Sequence, residues 1–195
     1  MALDRRVLGF ILSLLMVATF SVGASSATVE LDCRKAVDAF LALPTDLSLA
    51  ALSRSDQAGC WSVVKSSNTN LDQLNHWVER GNGWAAQYVA KHLKQLDGGN
   101  LEDTLTALGR FSDHDMERLL FFANKGLISK RELEDSLTML PLSLSDDPRA
   151  QVHLLSARKS KVMRVTRKDL LEQRTQALSA INNFASEIRS KNPGE

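Results

Sequence analysis

Apolar residues along this chain recur at three- and four-residue spacing, the period of a helix with one buried face. Leu101, Leu105 and Leu108 form one such stripe, and Leu133, Leu137 and Leu140 form another. Between Gly83 and Leu96 the stripe is Ala85, Val89, His92, Leu93 and Leu96. An earlier amphipathic run, from Glu30 to Leu43, sets Ala36, Val37, Phe40 and Leu41 on one face, and Pro44 stops it. The run 116–123 differs. Met116, Leu119, Leu120, Phe121, Phe122 and Ala123 leave little room for a polar face, which predicts a helix buried on most sides. A last stretch, 148–190, keeps Val152, Leu155, Met163, Leu170, Ala177, Ile181, Phe184 and Ile188 on one stripe. Thr166-Arg167-Lys168-Asp169 is a weak capping box at which that stretch would bend. No sustained period-two run of β-branched residues competes, so no strand is predicted.

These patterns repeat. LEDTLTAL at 101–108 returns as LEDSLTML at 133–140. One extra residue later, FSD (111–113) aligns with LSD (144–146), and LLFFANK then aligns with VHLLSAR. Residues 70–93 align with 100–123 without a gap, sharing the opening Asn-Leu-acid. Asn70, Asn100 and Ser112 stand where N-caps are expected, and Gly81, Gly98, Gly99 and Gly126 where helices should stop. The predicted fold is all-α: a short solenoid-like stack of antiparallel helix pairs with a repeat of about 30–33 residues. The units fall at 44–69, 70–99, 100–131 and 132–160. An N-terminal helix precedes them, a long C-terminal helix at 148–190 closes the stack, and 191–195 form a disordered tail.

The first residues stand apart from this scheme. Arg5 and Arg6 precede the apolar run VLGFILSLLMVATFSV, and the small residues GASSA follow. That order is a secretory signal peptide, 1–27, cut after Ala24 or Ala27, with a single helical domain at 28–190. The run is short for a membrane span of about 20 residues, and retention as an anchor is the alternative. Export predicts a periplasmic or secreted protein. In that setting Cys33 and Cys60, the two cysteines of the chain, are expected to form a disulfide. The 195 residues are 44% hydrophobic, enough for a core, and the net charge of +1 points to no nucleic-acid partner.

Candidate chemistry is sparse. His114-Asp115 has the residue types that bind metal in all-helical hydrolases, with His92, His153 and Asp147 elsewhere in the chain. However, Asp115 falls in the first turn of an expected helix, where the helix dipole and capping account for it. The aligned copy there reads Asp147-Pro148. His76 and Glu79 share a helix face but lack the second histidine of a zinc-protease helix. There is no phosphate loop, nucleophile elbow or CxxC. No catalytic residue, metal or cofactor is therefore assigned.

Two surfaces are candidates for binding. Trp77, Arg80, Trp84 and Tyr88 would make an aromatic contact patch, with packing against a neighbouring unit as the alternative. Arg158, Lys159, Lys161, Arg164, Arg167 and Lys168 would make a basic surface for an anionic protein, a membrane or a cell-wall polymer, or else a solvated helix face. The expected function is a non-catalytic, periplasmic protein-binding domain, an inhibitor or immunity-type protein against an envelope-acting toxin or enzyme. The alternatives are an accessory factor in secretion or envelope assembly, and an all-helical metal-dependent hydrolase.

Overall fold

The computed structural model describes residues 22–56 and 59–192. Residues 1–21, most of the expected signal segment, lie outside the described residues. The fold is all-α, with ten α-helices and no strand among the described residues. They are α1 (Val22–Ala42), α2 (Asp46–Asp56), α3 (Trp61–Lys65), α4 (Asn68–Glu79), α5 (Gly83–His92), α6 (Gly98–Phe111), α7 (Met116–Asn124), α8 (Lys130–Thr138), α9 (Pro148–Arg164) and α10 (Leu171–Lys191). No described helix is long and apolar enough to cross a membrane. α1 begins earlier than its apolar stripe and runs through Ala24 and Ala27, the two expected cleavage points.

The first helices of the units at 70–99, 100–131 and 132–160 form a row, whereas α2, from the unit expected at 44–69, packs on α1 instead. α4 packs on α6, α6 on α8, and α10 continues the row beyond α8. The second helices are less regular. α5 and α7 contact each other and α6, whereas α9 packs chiefly on α10. The expected long C-terminal helix is two helices folded back on each other. Pro148 and Val152 at the start of α9 border the same cleft as Ile188 and Asn192 at the end of α10. The chain reverses because Val165 and Arg167 take extended backbone angles. Val165 and Leu170 are buried and pin the turn. α10 carries through Lys191, one residue into the stretch expected to fray.

At the other end, α1 and α2 form a hairpin. Pro44 ends α1, and Thr45 and Ser48 exchange backbone-to-side-chain hydrogen bonds at the start of α2. The orphan carbonyl of Leu41, near the end of α1, accepts from Gln73 Nε2 (3.0 Å) and Trp77 Nε1 (2.8 Å) of α4. A disulfide joins Cys33 of α1 to Cys60, just before α3. Beside it, Phe40, Trp61, Tyr88 and His92 pack ring against ring, with centroids 4.6–5.6 Å apart.

Several caps lie a few residues from their expected places. α4 is capped by Ser67 rather than Asn70, and α7 by Asp115 rather than Ser112. α6 starts at Gly98 after Asp97, ahead of Asn100. Ser129 and Glu132 form a full capping box on α8. Gly81 does stop α4: its φ is +83°, and a Cβ there would lie 2.8 Å from His114 Cγ. The Leu133–Leu137–Leu140 stripe also ends early. α8 stops at Thr138 and Met139 is extended, because Pro141 disfavours helix at the residue before it. Leu140 is therefore half-buried outside the helix.

The helices of the row approach closely at small residues. Thr104 of α6 is buried against α4, and Gly109 of α6 meets α8 at the Ser136 carbonyl. A Cβ at Gly109 would collide with that backbone oxygen and lie 2.9 Å from Arg158 Nη2. Gly109→Ala is expected to lower stability by about 2–3 kcal/mol through overpacking against an immovable carbonyl. Gly99→Ala, whose Cβ meets nothing within 4 Å, is expected to raise stability by about 0.5 kcal/mol by restricting the unfolded chain. Urea midpoints of the two variants check both signs.

Candidate functional site

The row of first helices carries a groove of about 590 Å³ on its outer side. α4 contributes Asp72, Asn75, His76 and Glu79, spaced at three and four residues along one face. α6 contributes Glu102, Asp103, Thr106 and Arg110 in the same way. The early end of α8 supplies the third wall. With the helix broken before Pro141, Met139–Ser143 turn across the groove as an apolar lip, and Leu142 at its edge is 89% exposed.

The electrostatics of the groove are one-sided. Four carboxylates face one guanidinium and one imidazole. Arg110 Nη1 is held by Glu79 Oε2 at 3.1 Å. Asp72, Glu102 and Asp103 make no ion pair with another described residue. Asn75 is 7% exposed and lines the groove at the α4–α6 seam. Its Nδ2 donates to Thr104 Oγ1 at 3.1 Å, and its Oδ1 finds no donor among the described residues. The site therefore presents an excess of hydrogen-bond acceptors beside an apolar edge.

The residues singled out from the sequence are dispersed. Trp77 is half-buried, with its ring nitrogen on the Leu41 carbonyl, so it fastens α1 to α4. Arg80 is exposed at the end of α4. Trp84 is half-buried under the Arg118 guanidinium, 5.1 Å from its ring centroid. Tyr88 is 1% exposed and offers no surface. α5 is enclosed on nearly all sides because α1 and α2 cover the face that the repeat alignment leaves open, with Phe40 edge-on to Tyr88. The four do not form a patch.

The basic run is also divided. Arg158 is fully buried, on the same stripe as Leu155 and Val162, so it belongs to the core and not to a basic surface. Lys161 is held by Asp113, with Nζ at 2.7 Å from its carbonyl and 3.0 Å from Oδ1. Arg167 pairs with Asp169 and Glu117 and lies over the Phe121 ring. Its hydrogen bond holds the Asp169 carboxyl below the usual carboxylate range. Arg164 and Lys168 are exposed, and Lys159 is half-buried.

The candidate ligands for chemistry are placed as follows. Asp115 is spent on the α7 cap, where its Oδ1 accepts from the Arg118 backbone at 2.9 Å. His114 lies against the Gly81 turn. Asp147 caps α9. His92 is buried, stacked on Trp61, and its Nδ1 meets Gln95. His153 is exposed on α9. Among the described residues no three His, Cys, Asp or Glu side chains converge as a metal site would require. His76 and Glu79, weighed as a pair in the sequence, both line the acidic groove.

The rest of the groove was missed by sequence reasoning, although a signal for it exists. The Asn-Leu-acid opening shared by 70–72 and 100–102 puts Asp72 and Glu102 at one register of adjacent helices. The third copy has the equivalent acids Glu134 and Asp135, but there Lys130 and Arg131 neutralise them one turn away. Comparison with protein-family models, curated proteins and solved structures finds no match for this chain.

Proposed function

We propose that this chain is a non-catalytic protein-binding domain that acts in the periplasm or outside the cell, as a stoichiometric inhibitor of an envelope-acting toxin or enzyme. The observation that carries the reading is the acidic groove with its apolar lip. It joins a charged wall to exposed leucine, the combination that recognises a protein segment. The Cys33–Cys60 disulfide supports an oxidising compartment. Several ionisable groups outside the groove that drew attention in the sequence serve other ends: Asp115 and Asp147 cap helices, Lys161 and Arg167 are in ion pairs, and His92 and Arg158 are core.

The test is capture from an envelope extract with the tagged mature chain. A single partner is expected which, once purified, rebinds at one-to-one stoichiometry and loses its envelope-damaging activity. Turnover of a small substrate by the purified chain, with no partner recovered, would overturn the reading.

A further inference from the structure

The groove also specifies the chemistry of what it receives. We propose that it seats an arginine-bearing, basic segment of the partner protein, an inference that rests on the protein-binding reading above. Asp72, Glu102 and Asp103 supply negative charge with no ion-pair partner among the described residues. Asn75 adds a separate signal. A buried carbonyl oxygen without a donor is unfavourable, and this one belongs to a residue at the seam that lines the groove, where its neighbours cover it. A ligand that donates hydrogen bonds relieves that cost.

A guanidinium fits these acceptors better than an ammonium does. Its five donors lie in a rigid plane, so one group can hold a carboxylate and also draw out the covered Asn75 oxygen as that side chain turns, and it is more weakly hydrated. A bare divalent cation is disfavoured because no three ligands converge among the described residues. An anionic partner is repelled by the charge. The lip then sets the remainder of the ligand: Leu142, 89% exposed, covers an apolar side chain next to the arginine. A free small cation would leave that edge bare, so the occupant is a polypeptide segment.

The experiment uses fluorescent peptides that alternate arginine with leucine, glutamate with leucine, or arginine with serine, alongside free arginine and spermine. The Arg–Leu peptide is expected to bind best, and more weakly as salt rises. Glu102→Lys with Asp103→Lys, both at exposed positions, is expected to weaken it by about tenfold or more. Glu172→Lys, on exposed α10 surface, is expected to leave it unchanged. The Asn75 side-chain amide resonances should shift with arginine peptides in the unmodified protein, a readout that depends on no variant. Any of four results overturns the proposal: no binding of arginine peptides, equal binding of the Glu–Leu peptide, equal binding by the charge-reversed variant, or saturation by free arginine or spermine at the peptide's affinity. A dimer of the chain that the charge reversal dissolves would assign the groove to a second copy and also overturn it. If a captured envelope partner binds the charge-reversed variant as tightly as the unmodified protein, the groove assignment fails while the protein-binding reading stands.

Discussion

Arg158→Ala is expected to destabilise the protein by about 4 kcal/mol, and Arg158→Met by about 1 kcal/mol or less. The side chain is fully buried on α9, between Leu155 and Val162 of the same stripe. Nη1 donates to the Leu137 carbonyl at 2.8 Å, near the end of α8. Nε lies 4.0 Å from Asp113 Oδ1, and neither Nε nor Nη2 has a hydrogen-bond acceptor among the described residues. Burial pushes the guanidinium below its ordinary pKa, and Asp113 offsets this in part. The cation is thus poorly compensated. The volume of its side chain fills the space beside Gly109, between α9 and the α6–α8 pair. Alanine empties that space. Methionine keeps the stem, removes an expensive buried charge and loses one hydrogen bond. Urea denaturation of the two variants decides the matter: equal losses would mean that the charge, not the stem, carries the contact.

Arg158 also shows why a sequence reading stops where it does. Its neighbours Lys159, Lys161 and Arg164 invite the view of a solvated basic face. Yet Leu155, Arg158 and Val162 fall at spacings of three and four, the same period that identified every other buried stripe. The period was visible, but the residue type argued against using it, because arginine is almost never fully buried unless paired. Tyr88 failed for another reason. The expected stripe of Ala85, Val89, His92, Leu93 and Leu96, which runs from α5 into the turn after it, is buried, but a stripe describes one interface, and α5 has several. The covering comes from α1 and α2, which are distant in sequence.

The repeat explains both what was visible and what was not. The octapeptide at 101–108 and the first six residues of its repeat, 133–138, occupy adjacent helices in one row. Local propensity and leucine spacing specify that much without tertiary information. The copies diverge at the next residue, Gly109 in one and Pro141 in the other. Glycine lets α6 continue to Phe111 and α8 approach it closely, whereas proline ends α8 and turns the chain into the lip. The candidate site is therefore built where the repeat breaks. An alignment registers that point only as a gap, so the groove needed coordinates.

Removing the Cys33–Cys60 bridge is expected to lower stability by about 3.5 kcal/mol, the chain-entropy estimate for a loop of this length. The two cysteines are 27 residues apart, and the loop between them spans the α1–α2 turn. Cys33 and Cys60 are 3% and 0% exposed, so a reductant reaches them only after local opening. In a chain of this size the loss corresponds to a fall in Tm of about 10 °C. The variant to measure is Cys33→Ala with Cys60→Ala, which leaves Val37, Phe40 and Leu41 of α1 in place to pack. Its thermal midpoint is compared with those of the oxidised protein and of the protein unfolded in reductant. The last two should differ by the same amount, since both comparisons release the same loop. The consequence for α1 is sharper. Its other anchors among the described residues include one apolar stripe and the hydrogen bonds from Gln73 and Trp77 to Leu41. Amide exchange across α1 and α2 should therefore accelerate in the variant before exchange in α4, α6 and α8 does. A midpoint unchanged by loss of the bridge would mean that α1 is held by packing alone, and would remove the stability argument for an oxidising compartment.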